Sequence, residues 1–106
     1  MTSRWWLYLL RTENGSLYTG VTVDVERRFL QHAGERPGGA RHFRATRPVL
    51  MAYRVEVGDK RLAMRCEYRI KRLPKSRKEA LVSLQPALAE LLDYLGLDIG
   101  RPEAAG

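Results

Sequence analysis

The densest apolar stretch lies near the start, where Trp5, Trp6, Leu7, Tyr8, Leu9 and Leu10 run without a polar interruption. A run this short, rich in aromatic side chains and ended by Arg11, predicts a buried strand over residues 5–11. Asn14-Gly15 follows, a dipeptide that favours two-residue hairpin turns, and residues 17–21 form the returning antiparallel strand. The period then changes. Asp24 has the chemistry of a helix N-cap, Val25, Phe29 and Ala33 recur at four-residue spacing, and Gly34 ends the helix. Residues 35–41, with Pro37-Gly38-Gly39, read as a basic loop. A third strand is predicted over residues 49–57, preceded by Pro48.

Gly58-Asp59 turns the chain and caps a second helix, from residue 60 to about 73, with Leu62, Ala63, Cys66, Ile70 and Leu73 as its apolar stripe. Pro74 ends it. Ser76 and Glu79 have the spacing of a capping box for a third helix reaching about residue 84. Pro86 suits the first position of a fourth helix over residues 87–95, with Leu88, Leu91, Leu92 and Leu95 on one side and Gly96 as its stop. The order ββαβα plus C-terminal helices predicts an α/β fold in which a small three-stranded antiparallel sheet is flanked by helices.

The chain has 106 residues, 44% of them hydrophobic, which suits one small folded domain. Charge adds more. The net charge is +7, and residues 1–78 carry 18 Lys and Arg against 7 Asp and Glu, whereas residues 79–106 carry one Arg against five acids. A field of that sign favours a polyanion, nucleic acid above all, with an anionic membrane surface as the other candidate. Cys66 is the single cysteine, so neither an internal disulfide nor a Cys-x-x-Cys zinc pair is available, as suits a reducing compartment. No secretory pattern and no apolar run of ~20 residues is present, so a soluble, cytoplasmic protein without a membrane partner is expected.

Six residues stand out chemically: Tyr8, Tyr18, Gly20, Arg28, His32 and Glu67. Each alone has a plainer reading, as core filler, solvated surface or, for Glu67, a helical pair with Lys71 at i+4. Together they are more informative. The hairpin allows both tyrosine hydroxyls to reach one sheet face or edge. Arg28 and His32, at i and i+4, share a helix face, and Glu67 sits among Arg65, Arg69, Lys71 and Arg72.

Trp6-Leu7-Tyr8 followed by Tyr18-Thr19-Gly20 resembles the paired first motifs of the GIY-YIG nuclease superfamily. The segment from Gly20 to His32 is similar to the next motif, with arginine eight residues past the glycine and histidine four further on. Glu67-Tyr68-Arg69-Ile70-Lys71 resembles the family's acidic metal-binding helix. The resemblance covers roughly residues 4–84 and is nearest to the small stand-alone bacterial proteins of the family, which similarly carry Arg47-Pro48-Val49 before the third strand. The chain departs in reading Trp-Leu-Tyr for Gly-Ile-Tyr and Thr19 for the middle Ile. Asn14 is its only asparagine, although many members carry one on the C-terminal side of the domain; Lys71 or the third helix is the candidate substitute.

The resemblance implies a metal-dependent nuclease hydrolysing phosphodiester bonds in nucleic acid, DNA foremost, single strands included, in repair or processing. It implies that Tyr8 binds or activates the attacking water, Tyr18 orients water or phosphate, Gly20 is structural, Arg28 stabilises phosphoryl charge, and His32 assists proton transfer or contacts phosphate. Glu67 is implied to hold one Mg²⁺ or Mn²⁺. The alternative is a nucleic-acid-binding module with the same fold and little or no catalysis. Expected phosphate contacts are Arg41, Arg44, Arg47, Lys60, Arg61, Arg65 and Lys71, while Trp5, Trp6, Phe43 and Tyr53 could stack on bases if exposed, core packing being their plainer role. The expected organisation is a nuclease domain over residues 1–84, a helical extension over 85–99 packed on or near it, and a disordered tail over 100–106, as a monomer in preference to a homodimer.

Overall fold

A computed structural model describes residues 4–34, 38–39 and 46–97. The expected basic loop thus lies largely, and the expected tail entirely, outside the described residues. Among the described residues seven elements follow in order: β1 (Trp5–Thr12), β2 (Leu17–Thr22), α1 (Val25–His32), β3 (Pro48–Gly58), α2 (Lys60–Lys71), α3 (Lys75–Leu84) and α4 (Leu88–Leu95). The three strands form one antiparallel sheet in the order β2-β1-β3. The α/β class and the three-stranded antiparallel sheet flanked by helices are therefore as the apolar pattern predicts.

As the central strand, β1 is covered on both faces, so its continuous apolar run suits it better than strict alternation would. Leu7 and Leu9 point into the larger core, built with Tyr53, Ala63, Cys66, Ile70, Leu81 and Leu91. Tyr8 and Leu10 point the other way, into a smaller cluster with Val25, to which Trp6, Tyr18, Phe29 and Met51 add partly buried surface. The helix α1 covers this second face, while α2, α3 and α4 supply the first. Leu91 and Leu95 of α4, and Leu97 beyond it, are buried in the same core as Leu7 and Leu9. Among the described residues no helix is long and apolar enough to cross a membrane.

Two predicted caps are formed. The Asp24 carboxylate accepts from the Arg27 amide at 3.1 Å, and Asp59 accepts from the Leu62 amide at 2.8 Å. Three local features differ from expectation. The hairpin is not a two-residue turn: the Gly15 amide donates to the Thr12 carbonyl at 2.9 Å and the Thr12 amide to the Ser16 carbonyl at 3.0 Å. Only Gly15, at φ 86°, takes the left-handed conformation, whereas a two-residue type I′ turn would require it of Asn14 as well. Asn14 Oδ1 instead accepts from the Thr12 hydroxyl at 2.6 Å and the Ser16 amide at 3.1 Å, which holds the loop at three residues.

The Ser76–Glu79 box is also absent. The helix α3 begins at Lys75 with Pro74 as its N-cap, which has no side-chain acceptor and leaves Ser76 inside the helix, while the Glu79 carboxylate pairs with Arg11, whose Nη2 lies 2.7 Å away, and with Lys75. Pro86 precedes the N-cap of α4 rather than opening the helix. Ala87 is the cap, its amide donating to Glu90 Oε1 at 3.0 Å, and the Pro86 carbonyl accepts from the Tyr53 hydroxyl at 2.7 Å.

Candidate active site

The cross-strand register is the foundation of the site. Tyr8 on β1 stands opposite Gly20 on β2, and its phenol lies across the space a side chain would fill. A Cβ at Gly20 would be 2.3 Å from Tyr8 Oη and 2.5 Å from Cζ. A glycine is required there because the chain's own tyrosine makes the close approach.

The helix α1 supplies the next groups. Tyr8 Oη and His32 Nε2 share a hydrogen bond of 2.9 Å, and both residues are almost fully buried. Tyr18 completes an aromatic group, its ring centroid 6.4 Å from that of Tyr8 and 5.2 Å, edge-on, from that of His32. Burial, chiefly, and then the neighbouring Tyr18 push the Tyr8 phenol up to about 12, with Glu67 adding to the effect and Arg28 opposing it. At neutral pH Tyr8 is therefore a neutral phenol. Arg28 Nη1 donates to Gln31 Oε1 at 2.8 Å and to the Gly38 carbonyl at 2.7 Å, which fixes the guanidinium beside the tyrosine.

Glu67 comes from α2, on the opposite side of the sheet. That helix packs against β2, the edge strand carrying Tyr18 and Gly20, and the Glu67 charge adds a minor part to the upward push on the Tyr8 phenol. Its side chain is mostly buried and lies 3.3 Å from Lys71 Nζ, the helical pair its spacing suggests. Among the described residues no group of three or more His, Cys, Asp or Glu gathers around a common point. The structure thus brings Tyr8, Tyr18, Gly20, Arg28 and His32 together on one face, with Glu67 approaching from the other.

The expected phosphate contacts are more dispersed. Lys60, Arg61, Arg65 and Lys71 are exposed along α2. Arg47 ties the start of β3 to earlier parts of the chain, its amide donating to Glu13 and its guanidinium to the Ala33 carbonyl at 3.3 Å. Arg41, Arg44 and Phe43 lie outside the described residues. The other aromatic residues are engaged: Lys60 sits over Trp5 at 5.2 Å, Arg54 over Trp6 at 5.6 Å, and Tyr53 is buried. The sequence reading misses Tyr68, the most exposed aromatic side chain among the described residues. The period of α2 is the signal that would find it, since Tyr68 lies opposite the Leu62, Cys66 and Ile70 stripe.

Comparison with known proteins gives the family. The chain matches the GIY-YIG catalytic domain over residues 4–80 and belongs to the GIY-YIG family. It is 47% identical to the UPF0213 protein YhbQ of Escherichia coli O139:H28 over 91 residues, which is 86% of this chain and 89% of the relative. The UPF0213 protein YhbQ of Shigella boydii serotype 18 is equally similar, at 47% over 91 residues with the same coverage of both chains. A solution structure of the UPF0213 protein BH0048 from Bacillus halodurans is 34% identical, with a TM-score of 0.47 over 90% of this chain and 99% of that one.

Proposed function

We propose that this protein hydrolyses phosphodiester bonds in nucleic acid, DNA above all, as a cytoplasmic, monomeric endonuclease using one Mg²⁺ or Mn²⁺ ion. The observation that carries the reading is the buried Tyr8–His32 pair, 2.9 Å apart, beside a fixed Arg28. A module that only clamps phosphates has no need of a desolvated phenol hydrogen-bonded to imidazole. It could work with exposed cations alone.

The residues fit a divalent ion of a particular kind. Mg²⁺ keeps several waters and takes one or two carboxylates together with substrate phosphate. Glu67, a mostly buried carboxylate that joins no group of three or more His, Cys, Asp or Glu among the described residues, suits such a substrate-completed site and does not suit a cage made wholly of protein. Glu67 would hold the ion, which when bound supplies positive charge to the phosphate and to nearby acidic protons. Tyr8 binds the attacking water; His32 Nε2 is within reach of the phenol proton. Tyr18 orients water or phosphate from the same face. Arg28 places a guanidinium where negative charge grows on the phosphoryl oxygens. Residues 1–84 form the catalytic unit, and residues 85–97 contribute burial to its larger core.

The deciding experiment is incubation of labelled single- and double-stranded DNA and RNA with Mg²⁺, Mn²⁺ or EDTA. Cleavage that depends on the metal is expected. Binding without cleavage on every substrate would establish the non-catalytic module instead.

A further inference from the structure

The exposed face of α2 combines charge and aromaticity in a way the residues at the Tyr8 site do not explain. Tyr68 is 59% exposed and Met64 48% exposed, although both are large apolar side chains on a surface helix. They are four residues apart, hence stacked along one face, with Arg61 seven before Tyr68, Arg65 three before it and Arg72 four after it. Arg72 lies over the Tyr68 ring at 5.1 Å. A concave surface of about 870 Å³ is lined by Lys60, Arg61, Met64, Arg65, Tyr68 and Arg69. Its one acid, Asp59, already caps the helix. Among the described residues no ion pair neutralises Lys60, Arg61 or Arg65.

We infer that this face binds an unpaired stretch of nucleic acid, with Tyr68 as the platform on which a base stacks, so that the substrate is single-stranded close to the cleaved bond. The inference rests on the nuclease reading and narrows its substrate. The charge complements a phosphate backbone and gives the face one class of occupant. The aromatic ring at its centre selects among forms of that occupant. A base inside a duplex has both faces covered by its neighbours, whereas an unpaired base offers a face to Tyr68. Met64 beside the ring is an adaptable apolar contact suited to bases of different shape. Arg72 covers one face of the phenol and leaves the other for the base, with the guanidinium reinforcing the stack. Glu67 precedes Tyr68 directly and borders the same face through Lys71 and Met64, so the stacked base belongs to a nucleotide close to the scissile phosphate.

The test measures binding of the full chain, in EDTA so that nothing is cleaved, to a fluorescein-labelled oligothymidylate and to a duplex of equal length. Tyr68→Ala should weaken single-strand binding about 10-fold or more, the loss associated with removing one stacking platform. Tyr68→Phe and Tyr68→Trp should hold or raise the affinity, and duplex binding should change less than about 2-fold in all three. The salt dependence should be unaltered in the Tyr68 variants, whereas Arg65→Ala should reduce its slope by about 0.7 for single strands. Equal loss on both substrates, or none on either, overturns the inference. So does a change from dimer to monomer in Tyr68→Ala during sedimentation, because the face would then be covered by a second copy. Tight single-strand binding through Tyr68 without metal-dependent cleavage by the wild type would leave the platform standing and remove the nuclease reading.

Discussion

Replacing Gly20 with alanine tests the construction of the site most directly. The added methyl would stand 2.3 Å from Tyr8 Oη, where ordinary contacts begin at 3.4 Å, so the phenol must move by about 1 Å. Tyr8 is 1% exposed and has no open space to move into without disturbing its neighbours. Turning the ring off its rotamer costs about 0.5–1.5 kcal/mol. Losing the 2.9 Å bond to His32 removes one buried hydrogen bond, at about 1 kcal/mol. Alanine recovers about 0.5–1 kcal/mol over glycine within a strand. The net expectation is a loss of roughly 1 kcal/mol in urea denaturation, together with a fall in cleavage, because Tyr8 is displaced from His32. The second half of the assay is a double-mutant cycle. With Tyr8→Ala already in place the obstruction is gone, and Gly20→Ala should be neutral or slightly stabilising. An equal cost in both backgrounds would show that the glycine serves the backbone and not the tyrosine.

Glu67→Gln should abolish metal-dependent cleavage while shifting stability by less than about 1 kcal/mol, because its partner Lys71 is half-exposed; full activity would remove the metal-holding role. Arg28→Ala should lower turnover about 10²-fold and affinity far less, and an unchanged turnover with weakened binding would make it a phosphate clamp. Acid stability should depend on Glu79, whose carboxyl is held down to about 2 by Arg11 first and Lys75 second. Its folded value is depressed, so the contribution is complete above about 4.5 and is lost as the pH falls toward 2. The pair is a third exposed and screened, which limits it to about 1 kcal/mol. Urea midpoints followed from pH 6 to 2 should fall less steeply in Arg11→Met than in the wild type, and identical profiles would show that the ion pair contributes nothing.

The elements legible in the sequence are those set by strong local chemistry. Asp24 and Asp59 each precede a helical period and have backbone donors two or three residues on, so their caps follow from composition alone. Gly96 stops α4 at φ 72°, a conformation glycine adopts at little cost. Ser76 and Glu79 fail as a cap because the helix starts before Ser76, at Lys75 after Pro74, and Glu79 pairs instead with a distant strand: Arg11 is far away in sequence and no window along the chain contains both. Tyr68 is hidden from a motif-based reading for a different reason. It lies inside the motif that carries Glu67, where interest falls on the acid and not on the residue pointing away from the core.

The site itself depends on one turn. In the observed register the partners of β1 and β2 place Tyr8 opposite Gly20 and Leu10 opposite Tyr18. Tyr8 and Leu10 share a face, so Tyr18 and Gly20 lie on that face too. This is what allows the two phenols and His32 to meet. A two-residue turn at Asn14-Gly15 would shift the pairing by one residue, setting Tyr8 against Val21 and Leu9 against Gly20. A one-residue shift exchanges the faces. Tyr18 would then project toward α2, away from Tyr8 and α1, and the space over Gly20 would belong to Leu9. The three-residue loop held by Asn14 Oδ1 and the left-handed Gly15 is therefore a condition for the site to form. The Asn-Gly pair signals that a hairpin exists. The Thr12 and Ser16 contacts to Asn14 decide which face its tyrosines take, and those contacts exist only once the strands have paired.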